Sequence, residues 1–450
     1  MRICNFVPPY LLERIAAHHL DSDVCDGCRH TLVVDAAFRG ARAGAKAATP
    51  DPAAVAGPAF DVYTSSNGST LPGTEVRAQG APATGDAAED EAYTGVEATL
   101  ALYSQVLSRD SFDNKGAEVL ASVHYEKNYD NAFWNGEQLV FGDGDGKIFE
   151  RFTKPIDVLG HEFTHAVTQY TANLTYSDQP GALNESISDA FGSCVKQRVN
   201  QQSAAEADWL IGEGIFLPSV HGKALRSMAE PGTAYDDPVL GKDPQVGDMK
   251  DYVHTTDDNG GVHTNSGIPN RAFYLAATAI GGDSWEGAGP IWYAALTSGI
   301  GASTDFAAFA TATLTAARAV STAAADAVQG AWETVGVLAA GSSTGGAPAS
   351  APAANPAGNP AGNPAGNLVS VTRTGGVTGI RREGSLTLGS DPRTPQVEAL
   401  IDRIDFADLT SSQPRADMFV YGFQVRGDSA TVNEEDLTED LTQLARLLLG

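Results

Sequence analysis

The chain has 450 residues, of which 42% are hydrophobic and 19% charged, and its formal net charge is −27. This length allows two or three folded units, at least one of them with a large core. The negative charge excludes nucleic acid as the expected partner, because its phosphates would be repelled. No run of about 18 apolar residues occurs, so no membrane-spanning helix is predicted. The composition is typical of a soluble globular protein.

Residues 1–57 form the first region. Its alanine-, glycine- and proline-rich end, residues 41–59, is predicted to be mobile and easily cleaved. Glu13 and Arg14 interrupt the apolar run that a secretory signal requires, so no signal peptide is predicted. A short amphipathic helix is expected after a Pro-Pro pair, and its apolar side chains are Leu11, Leu12, Ile15 and Ala16.

Four regions follow along the chain. Residues 58–150 alternate strand-like runs with turns, and residues 151–340 read mainly as helices. Residues 341–367 repeat an Asn-Pro-Ala-Gly unit and are expected to act as a linker, since this composition cannot form a core. Residues 368–450 combine strand-like runs with a closing helix and are long enough to fold alone. The predicted fold class is therefore α+β.

A candidate metal site lies in the helical region, where GHEFTHAVTQY contains His161, Glu162 and His165 as H-E-x-x-H. On a helix the two histidines are four residues apart and share one face, so both imidazoles can reach one zinc ion. Taken alone, the pattern also fits two surface histidines of an ordinary helix.

A second helical pattern, GALNESISDAFG, favours a zinc site over an ordinary helix with two surface histidines. Glu185 would complete a His₂Glu ligand set, which leaves zinc's fourth position open for water and so indicates a hydrolytic site. Asp189 follows one turn later and can accept the outer N–H of a ligand histidine. Glu162 points beside the ligand face, where it can act as general base.

From residue 58 to 340 the chain resembles the thermolysin family. The resemblance is carried by NAFWNG (131–136), the two blocks just described, ALRSM (224–228) and DDNGGVHTNSGIPN (257–270). It implies a two-lobed catalytic domain, with a β-rich N-terminal lobe (58–150), an α-helical C-terminal lobe (151–340) and a zinc cleft between them.

The resemblance also implies roles for single residues. Tyr176 and His263 match oxyanion-binding positions, and Asp258 matches the carboxylate that orients the histidine. Substrate-binding positions are matched by Arg226, Asn131 and Ala132. An apolar pocket implies preference for a bulky hydrophobic residue on the leaving-group side, and its matched residues are Phe149, Phe152, Val158, Ile211 and Leu225. The same five residues also fit an ordinary core.

Calcium is a further expectation from the resemblance. Asp157, Asp208 and Glu213 match carboxylates of a calcium cluster beside the active site. Lys196 stands where a bridging glutamate is usual, and Leu210 replaces another acid. An ammonium group cannot bind calcium, so at most one ion is expected.

The first residues, CNFVPPYLLERIA, resemble the short pro-segment of the protealysin-like branch, which implies processing between Gly57 and Asp61. Cys4 could bind zinc's open position in such a precursor. Cys25 and Cys28 have the spacing of a redox motif or of half a zinc site, and Cys194 is expected to be a buried apolar residue.

The last region, residues 368–450, resembles emfourin, an inhibitor associated with protealysin-like enzymes. VTRTGGVTGIRR (371–382) and FVYGFQV (419–425) carry this resemblance. The expected function is that of a zinc-dependent neutral endopeptidase, which hydrolyses peptide bonds of proteins and peptides with a zinc-activated water and is inhibited by its own C-terminal domain. The alternative is a catalytically weak zinc protein that acts as a protease inhibitor or interaction module. Family resemblance implies secretion, although no signal peptide is predicted and a cytoplasmic precursor is also compatible.

Overall fold

The computed structural model divides the chain into two compact units, Met1–Gly345 and Gly346–Gly450. Most of the stretch 41–59, the start of the expected processing site and the linker 341–367 lie outside the described residues. No described helix is long and apolar enough to cross a membrane. The described residues are 4–18, 22–42, 59–339, 368–375, 382–388, 393–401, 403–404, 419–425 and 428–449.

A six-stranded sheet forms the N-terminal lobe of the first unit, and its strands are β1 (Cys4–Asn5), β2 (Phe60–Thr64), β3 (Thr74–Ala78), β4 (Val119–Val123), β5 (Ala132–Trp134) and β6 (Leu139–Phe141). Their order across the sheet is β1-β5-β6-β4-β2-β3. The outer strand β1 comes from the first region of the chain and pairs antiparallel with β5. The edge of the lobe that faces the cleft is therefore already paired.

One helix in this lobe departs from the strands and turns predicted for residues 58–150. Helix α3 spans Ala87–Gln105, and its N-terminal N–H groups at Ala88 and Glu89 are capped by the Asp86 side chain. Tyr93, Val96, Leu100 and Tyr103 are among its buried residues. This helix was not predicted, because polar and apolar residues are mixed in its sequence, AAEDEAYTGVEATLALYSQ. Its N-terminus is capped by Asp86.

Two helices follow β1 and belong to the first region; they are numbered here α1 (Pro9–Ala17) and α2 (Ser22–Arg42). Helix α1 buries the four apolar residues predicted for it. Helix α2 was not predicted from the sequence. It buries Cys28, Thr31 and Asp35, which follow one another at intervals of three and four residues and so share a face.

The second lobe is helical, as predicted for residues 151–340. Trp292 and Trp332 stack with ring centroids 6.0 Å apart between two of its helices. The helices are α4 (Ile156–Gln169), α5 (Asp178–Asn200), α6 (Asp258–Asn265), α7 (Gly267–Ile280), α8 (Ala288–Leu296), α9 (Phe306–Val320) and α10 (Thr322–Thr334). Short strands form two-stranded pairs between α5 and α6, and they are β7 (Leu210–Ile211), β8 (Arg226–Ser227), β9 (Asp236–Asp237) and β10 (Gly241–Lys242).

The second unit contains an antiparallel four-stranded sheet and two helices, which agrees with the small α+β domain predicted for residues 368–450. The strand order is β12-β11-β13-β14. Leu441 and Leu444 of the last helix are fully buried in its core. The elements are β11 (Leu368–Gly375), β12 (Arg382–Thr387), α11 (Thr394–Ile401), β13 (Phe419–Val425), β14 (Asp428–Asn433) and α12 (Glu439–Leu449).

Helices α4 and α5 cross at two glycines, which permits a close approach of their backbones. A Cβ atom added at Gly192 would lie 2.5 Å from the backbone oxygen of Asp157, and one at Gly160 would lie 3.0 Å from the Cα of Gly192. No side chain larger than hydrogen fits this crossing without a shift of one helix. The crossing therefore sets the distance between the two helices.

We expect Gly192→Ala to destabilise the protein by about 1–3 kcal/mol, because the added methyl group forces α4 away from α5. Zinc content should fall as well, since the two helices carry the candidate ligands. The matched control is Gly330→Ala in α10, where an added Cβ meets no atom within 4 Å and should stabilise by about 0.5–1 kcal/mol. Thermal unfolding and metal analysis measure both effects. Unchanged stability and zinc content in Gly192→Ala would contradict this account.

Candidate active site

Three buried side chains from α4 and α5 converge in the cleft. The Nε2 atoms of His161 and His165 lie 3.0 Å apart. Each Nε2 also lies 3.5 Å from a carboxylate oxygen of Glu185. All three side chains are fully buried, and Glu185 Oε2 has no hydrogen-bond partner among the described residues. Two imidazoles and an orphaned buried carboxylate fit a zinc ion.

The outer nitrogens of both histidines are held by polar side chains. His161 Nδ1 lies 2.8 Å from Asp189 Oδ1. His165 Nδ1 lies 2.9 Å from Asn184 Oδ1 and 3.0 Å from Ser188 Oγ. Such partners fix the orientation and tautomer of metal-binding histidines. Asn184 and Ser188 were missed by sequence reasoning, although both lie within GALNESISDAFG.

Asp189 also organises the substrate-binding side of the cleft. Its two oxygens accept hydrogen bonds from Arg226 Nη2 and Nε at 2.7 and 2.8 Å, and Asn270 donates a further bond of 2.8 Å. Burial raises the pKa of Asp189, but Arg226 and His161 outweigh it and lower this pKa to about 2. Asp189 is therefore ionised and connects the histidine to the arginine. Asn270 was not predicted from the sequence.

Glu162, the candidate general base, is fully buried beside the two histidines. Neither of its carboxylate oxygens accepts a hydrogen bond from a side chain of the described residues. Burial raises the pKa of Glu162 to about 8, although the backbone N–H of Trp134 opposes this increase. The raised pKa makes the ionised form of Glu162 a stronger base toward water.

The candidate oxyanion donors approach the metal donors from two places, the loop before α5, which carries Tyr176, and α6, which carries His263. Tyr176 OH donates to Glu185 Oε1 and lies 3.3 Å from His263 Nε2. Asp258 Oδ1 lies 2.7 Å from His263 Nδ1, and the other oxygen of Asp258 accepts the backbone N–H of His263. Burial lowers the pKa of His263, but the charges of Asp258 and Glu185 outweigh it, and the net effect is an increase.

Residues 5–7, from the last residue of β1 onward, lie in the cleft beside β5. Phe6 N–H donates to the backbone oxygen of Ala132 at 3.1 Å. Asn131 pairs with both backbone groups of Val7, since its Oδ1 accepts from Val7 N–H at 2.8 Å and its Nδ2 donates to Val7 O at 3.2 Å. The predicted substrate-pairing residues are therefore paired with the chain's own N-terminal segment.

Two further bonds reach this strand from the opposite side of the cleft. His263 Nε2 lies 2.9 Å from the backbone oxygen of Asn5, and Arg226 Nη1 donates to the backbone oxygen of Phe6 at 3.0 Å. The Phe6 side chain is fully buried, and its ring centroid lies 5.2 Å from that of His161 and 6.5 Å from that of Phe152. The other four residues of the predicted pocket, Phe149, Val158, Ile211 and Leu225, are buried as well.

Comparison with protein families covers both lobes. A model described as thermolysin metallopeptidase, catalytic domain, matches residues 51–169, and one described as thermolysin metallopeptidase, alpha-helical domain, matches residues 172–337. The chain is 48% identical over 337 residues to an extracellular metalloprotease of Pectobacterium carotovorum subsp. carotovorum, covering 74% of this chain and 96% of that protein. The chain belongs to the thermolysin family. It is therefore a zinc metalloendopeptidase.

Other comparisons extend this result. Protease PrtS of Photorhabdus sp. (strain Az29) is 46% identical over 323 residues, which cover 70% of this chain and 86% of that protein. A solved structure titled as the precursor of protealysin, a metalloproteinase from Serratia proteamaculans, matches with a TM-score of 0.68 and 50% identity. The matched region covers 74% of this chain and 100% of the protealysin precursor chain. The Emfourin family model matches residues 371–449 of this thermolysin-family enzyme.

The carboxylates expected to bind calcium hold a lysine. Lys196 Nζ donates to both oxygens of Asp208 at 2.8 and 2.9 Å and to Glu213 at 3.0 Å. Asp157 is buried, accepts the Gly212 N–H at 3.0 Å and has its pKa raised to about 6 by burial. Among the described residues, the groups with metal-ligand geometry include none of these three acids. The expected calcium cluster thus has an ammonium group between two of its members.

The cysteines of α2 are buried donors. Cys25 Sγ lies 3.3 Å from the backbone oxygen of His18, and Cys28 Sγ lies 3.6 Å from Asp130 Oδ2. Both are free thiols, and neither belongs to a group with metal-ligand geometry in the described part of the chain. Cys194 is a buried free thiol, as predicted. The Cys4 side chain, proposed as a zinc ligand, lies outside what the structure describes.

Helix α2 covers acidic side chains beside the cleft. Asp130 is fully buried, and its Oδ1 has no hydrogen-bond partner among the described residues. Asp35 of α2 accepts bonds from Tyr129 OH at 2.6 Å and from Asn131 Nδ2 at 3.1 Å. Burial, followed by the charge of Asp145, raises the pKa of Asp130 well above its usual range, although Cys28 opposes this by donating to it.

Asp130 should make the stability of the precursor depend on pH. Its pKa is higher in the folded precursor than in the unfolded chain, so stability falls as the pH rises above about 3.9, the usual value for aspartate. We expect Asp130→Asn to be more stable than the wild type at pH 8 by about 1 kcal/mol or more. The difference should disappear near pH 3.5.

Thermal unfolding of both proteins from pH 3.5 to 8 measures this effect. Asp26→Asn in α2 is the control, because the Asp26 side chain is 71% exposed and its pair with Arg29 should contribute little. A difference between Asp130→Asn and the wild type that is the same at every pH would refute the role of ionisation.

Proposed function

We propose that His161, His165 and Glu185 hold the zinc of this endopeptidase and that Glu162 is its general base. The convergence of the three buried donors beside the buried carboxyl group of Glu162 supports this assignment. When bound, zinc supplies Lewis-acid polarisation of the substrate carbonyl and lowers the pKa of water. Asp189, Asn184 and Ser188 keep the two imidazoles oriented, while Glu162 accepts the proton that water loses.

The strand formed by residues 5–7 suggests how a substrate binds. Asn131 and the Ala132 carbonyl hold its backbone on one side, and Arg226 binds a carbonyl on the other. His263, oriented by Asp258, would donate to the carbonyl oxygen as negative charge develops there. Tyr176, which contacts Glu185 in this structure, would assist His263 after a turn of its hydroxyl group.

The pocket that holds Phe6 supports a preference for a bulky hydrophobic residue on the leaving-group side. Burial of an aromatic ring among apolar walls contributes about 1.5–3 kcal/mol to binding. Residues 1–57 would act as a pro-segment, because they fill this pocket and the backbone-binding positions together. The names of the Pectobacterium and Photorhabdus relatives, an extracellular metalloprotease and a protease, support secretion of the mature enzyme.

Two substitutions test the assignment of base and ligand. We expect Glu162→Gln to lower the hydrolysis rate of a quenched peptide by about 10²–10⁴-fold or more, with one zinc still bound, because only proton transfer is lost. Glu185→Ala should lose both zinc and activity, since two histidines alone bind weakly. Activity assays with and without a chelator, together with metal analysis, separate the two cases. Normal turnover in Glu162→Gln would exclude it as the base.

His263→Ala is the matched control, because it removes a group at the carbonyl and leaves all zinc ligands in place. It should lower the rate by about 10²–10³-fold with zinc intact. A loss of zinc from this variant would mean that His263 holds the metal site together and would count against its role at the oxyanion.

The lysine in the acidic cluster would replace a calcium ion by charge. Lys196 already neutralises Asp208 and Glu213, so the unfolding temperature should be the same in calcium and in a calcium-selective chelator. Only the state that binds an ion is stabilised by it. A higher unfolding temperature in calcium than in the chelator, which disappears in Asp157→Asn, would instead establish the single calcium site expected at Asp157, Asp208 and Glu213.

The second unit would inhibit the peptidase to which it is joined. The match of residues 371–449 to the Emfourin family supports this proposal, given the inhibitory role that the resemblance implies. A tether of the length predicted for the linker 341–367 would give an effective concentration approaching the millimolar range. An inhibitor with micromolar affinity would then occupy its site most of the time.

Truncation after Gly345 tests this inhibition in the processed enzyme. We expect the truncated enzyme to hydrolyse a peptide at least tenfold faster than the longer chain, because it lacks the tethered inhibitor. Addition of the separate fragment 368–450 should slow it again. Equal rates before and after truncation, with no effect of the fragment, would show that the second unit has another role.

A further inference from the structure

We infer that the bond between Asn5 and Phe6 is itself a cleavage site, which the peptidase cuts in its own precursor before the pro-segment leaves. This inference rests on the proposed function of the same cleft. It concerns which bond of the N-terminal strand lies at the reacting groups, and it follows from the hydrogen bonds that fix the register of the strand.

The two carbonyl groups around this bond face different side chains. The Asn5 oxygen lies 2.9 Å from His263 Nε2, whereas the Phe6 oxygen accepts from Arg226 at 3.0 Å. The Phe6 N–H between them donates to the Ala132 oxygen. Because each backbone group has its own fixed partner, a shift of the strand by one residue would break all of these bonds.

The Asn5 carbonyl is also the one beside the metal donors. His263 Nε2, which contacts it, lies 3.5 Å from Glu185 Oε2. The Phe6 ring that follows lies edge-on to His161 at 5.2 Å. Asn5 is 3% exposed, and neither its side-chain oxygen nor its nitrogen has a hydrogen-bond partner among the described residues. Among the described residues, the hydrogen bonds that hold Asn5 are therefore those of its backbone.

Neighbouring bonds lie further along the strand from these groups. The Val7 backbone pairs with Asn131 on the opposite side of the strand. Pro8 and Pro9 follow at once, and their ring nitrogens carry no N–H to pair with a sheet edge. Of the bonds in this segment, the Asn5–Phe6 bond combines a carbonyl at His263 with a bulky apolar residue on the leaving-group side.

The reaction is a hydrolysis and needs only water. Oxygen of the water adds to the Asn5 carbonyl carbon, and Glu162 takes its proton. Glu162 passes this proton to the nitrogen of Phe6, the C–N bond breaks, and Phe6 leaves as an amine. Asn5 becomes a carboxylic acid, which loses the second proton of the water to the new amine or to solvent and ends as a carboxylate. The products are the peptide ending at Asn5 and a chain that begins at Phe6.

This cut would leave most of the pro-segment in place. Phe6, Val7, Leu11, Leu12 and Ile15 are all fully buried in the first unit, and the bonds of Val7 to Asn131 do not depend on the Asn5 residue. The cut would therefore clear the positions before the scissile bond while the pocket after it stays filled. It is a first step that is separate from the cleavage expected between Gly57 and Asp61.

The test compares the freshly purified full chain with its Glu162→Gln variant, both supplied with zinc. Intact mass and N-terminal sequencing should show Phe6 as a new N-terminus in the wild type over time, whereas the variant keeps Asn5. The rate should not change on tenfold dilution, because the bond is cut within one molecule. Phe6→Leu should still be cut, and Phe6→Pro should not, since proline lacks the N–H that donates to Ala132.

A second measurement does not depend on hydrolysis. In the metal-free Glu162→Gln precursor, the amide hydrogens of Phe6 and Val7 should exchange slowly, because both are bonded in the cleft. Rapid exchange of both would overturn the register. An uncut wild type, a cut at another bond of the segment, or equal cutting of the Glu162→Gln variant would also overturn the inference.

The proposed function is tested separately on the wild type after cleavage between Gly57 and Asp61 and removal of the pro-segment. If this enzyme hydrolyses a peptide while its precursor keeps Asn5, only the cleavage site is wrong. If it hydrolyses no peptide and the precursor also stays intact, both the site and the catalytic assignment fail.

Discussion

The buried carboxylate of Asp189 is the group on which both halves of the active site depend. One of its oxygens holds the outer nitrogen of His161, and the same carboxylate holds the guanidinium of Arg226 through two bonds. Asn270 completes its hydrogen bonds from α7. The candidate metal ligand His161 and the candidate substrate-binding Arg226 therefore share one fully buried anchor, where a lost hydrogen bond is costly. A displacement of Asp189 would disturb both functions at once.

The parts of the site that sequence reasoning predicted are those that depend on local periodicity. His161 and His165, or Glu185 and Asp189, are four residues apart, and a helix places such pairs on one face whatever surrounds it. Asn184 and Ser188 lay within the same block, but a polar residue beside a ligand is indistinguishable from an ordinary helix residue. Contacts between distant segments, such as Asn270 with Asp189, left no signal in the sequence.

The fold, like the site, could be predicted where it depends on local sequence patterns and not where it depends on contacts between distant segments. The two lobes and the small final domain could be predicted from alternating and helical patterns and from family resemblance. Helix α2 could not, because its buried face contains Cys28, Thr31 and Asp35 in place of large apolar residues. These polar groups are buried because they meet Asp130, Tyr129 and Asn131, and only the folded structure brings them together. The sequence showed that Lys196 replaces a glutamate of the calcium cluster. Its bonds to Asp208 and Glu213 could be seen only in the folded structure.

The place of β1 at the edge of the sheet has a consequence for the targets of this enzyme. The cleft completes its sheet with the backbone of whatever segment enters it, so recognition requires about three successive residues with unpaired N–H and C=O groups. Helices and inner strands of a folded protein have already used these groups. A native target is therefore open to attack only at loops, tails and frayed edges, and the same sequence inside a stable helix would be resistant. Conformation, more than sequence, would then decide where this peptidase cuts.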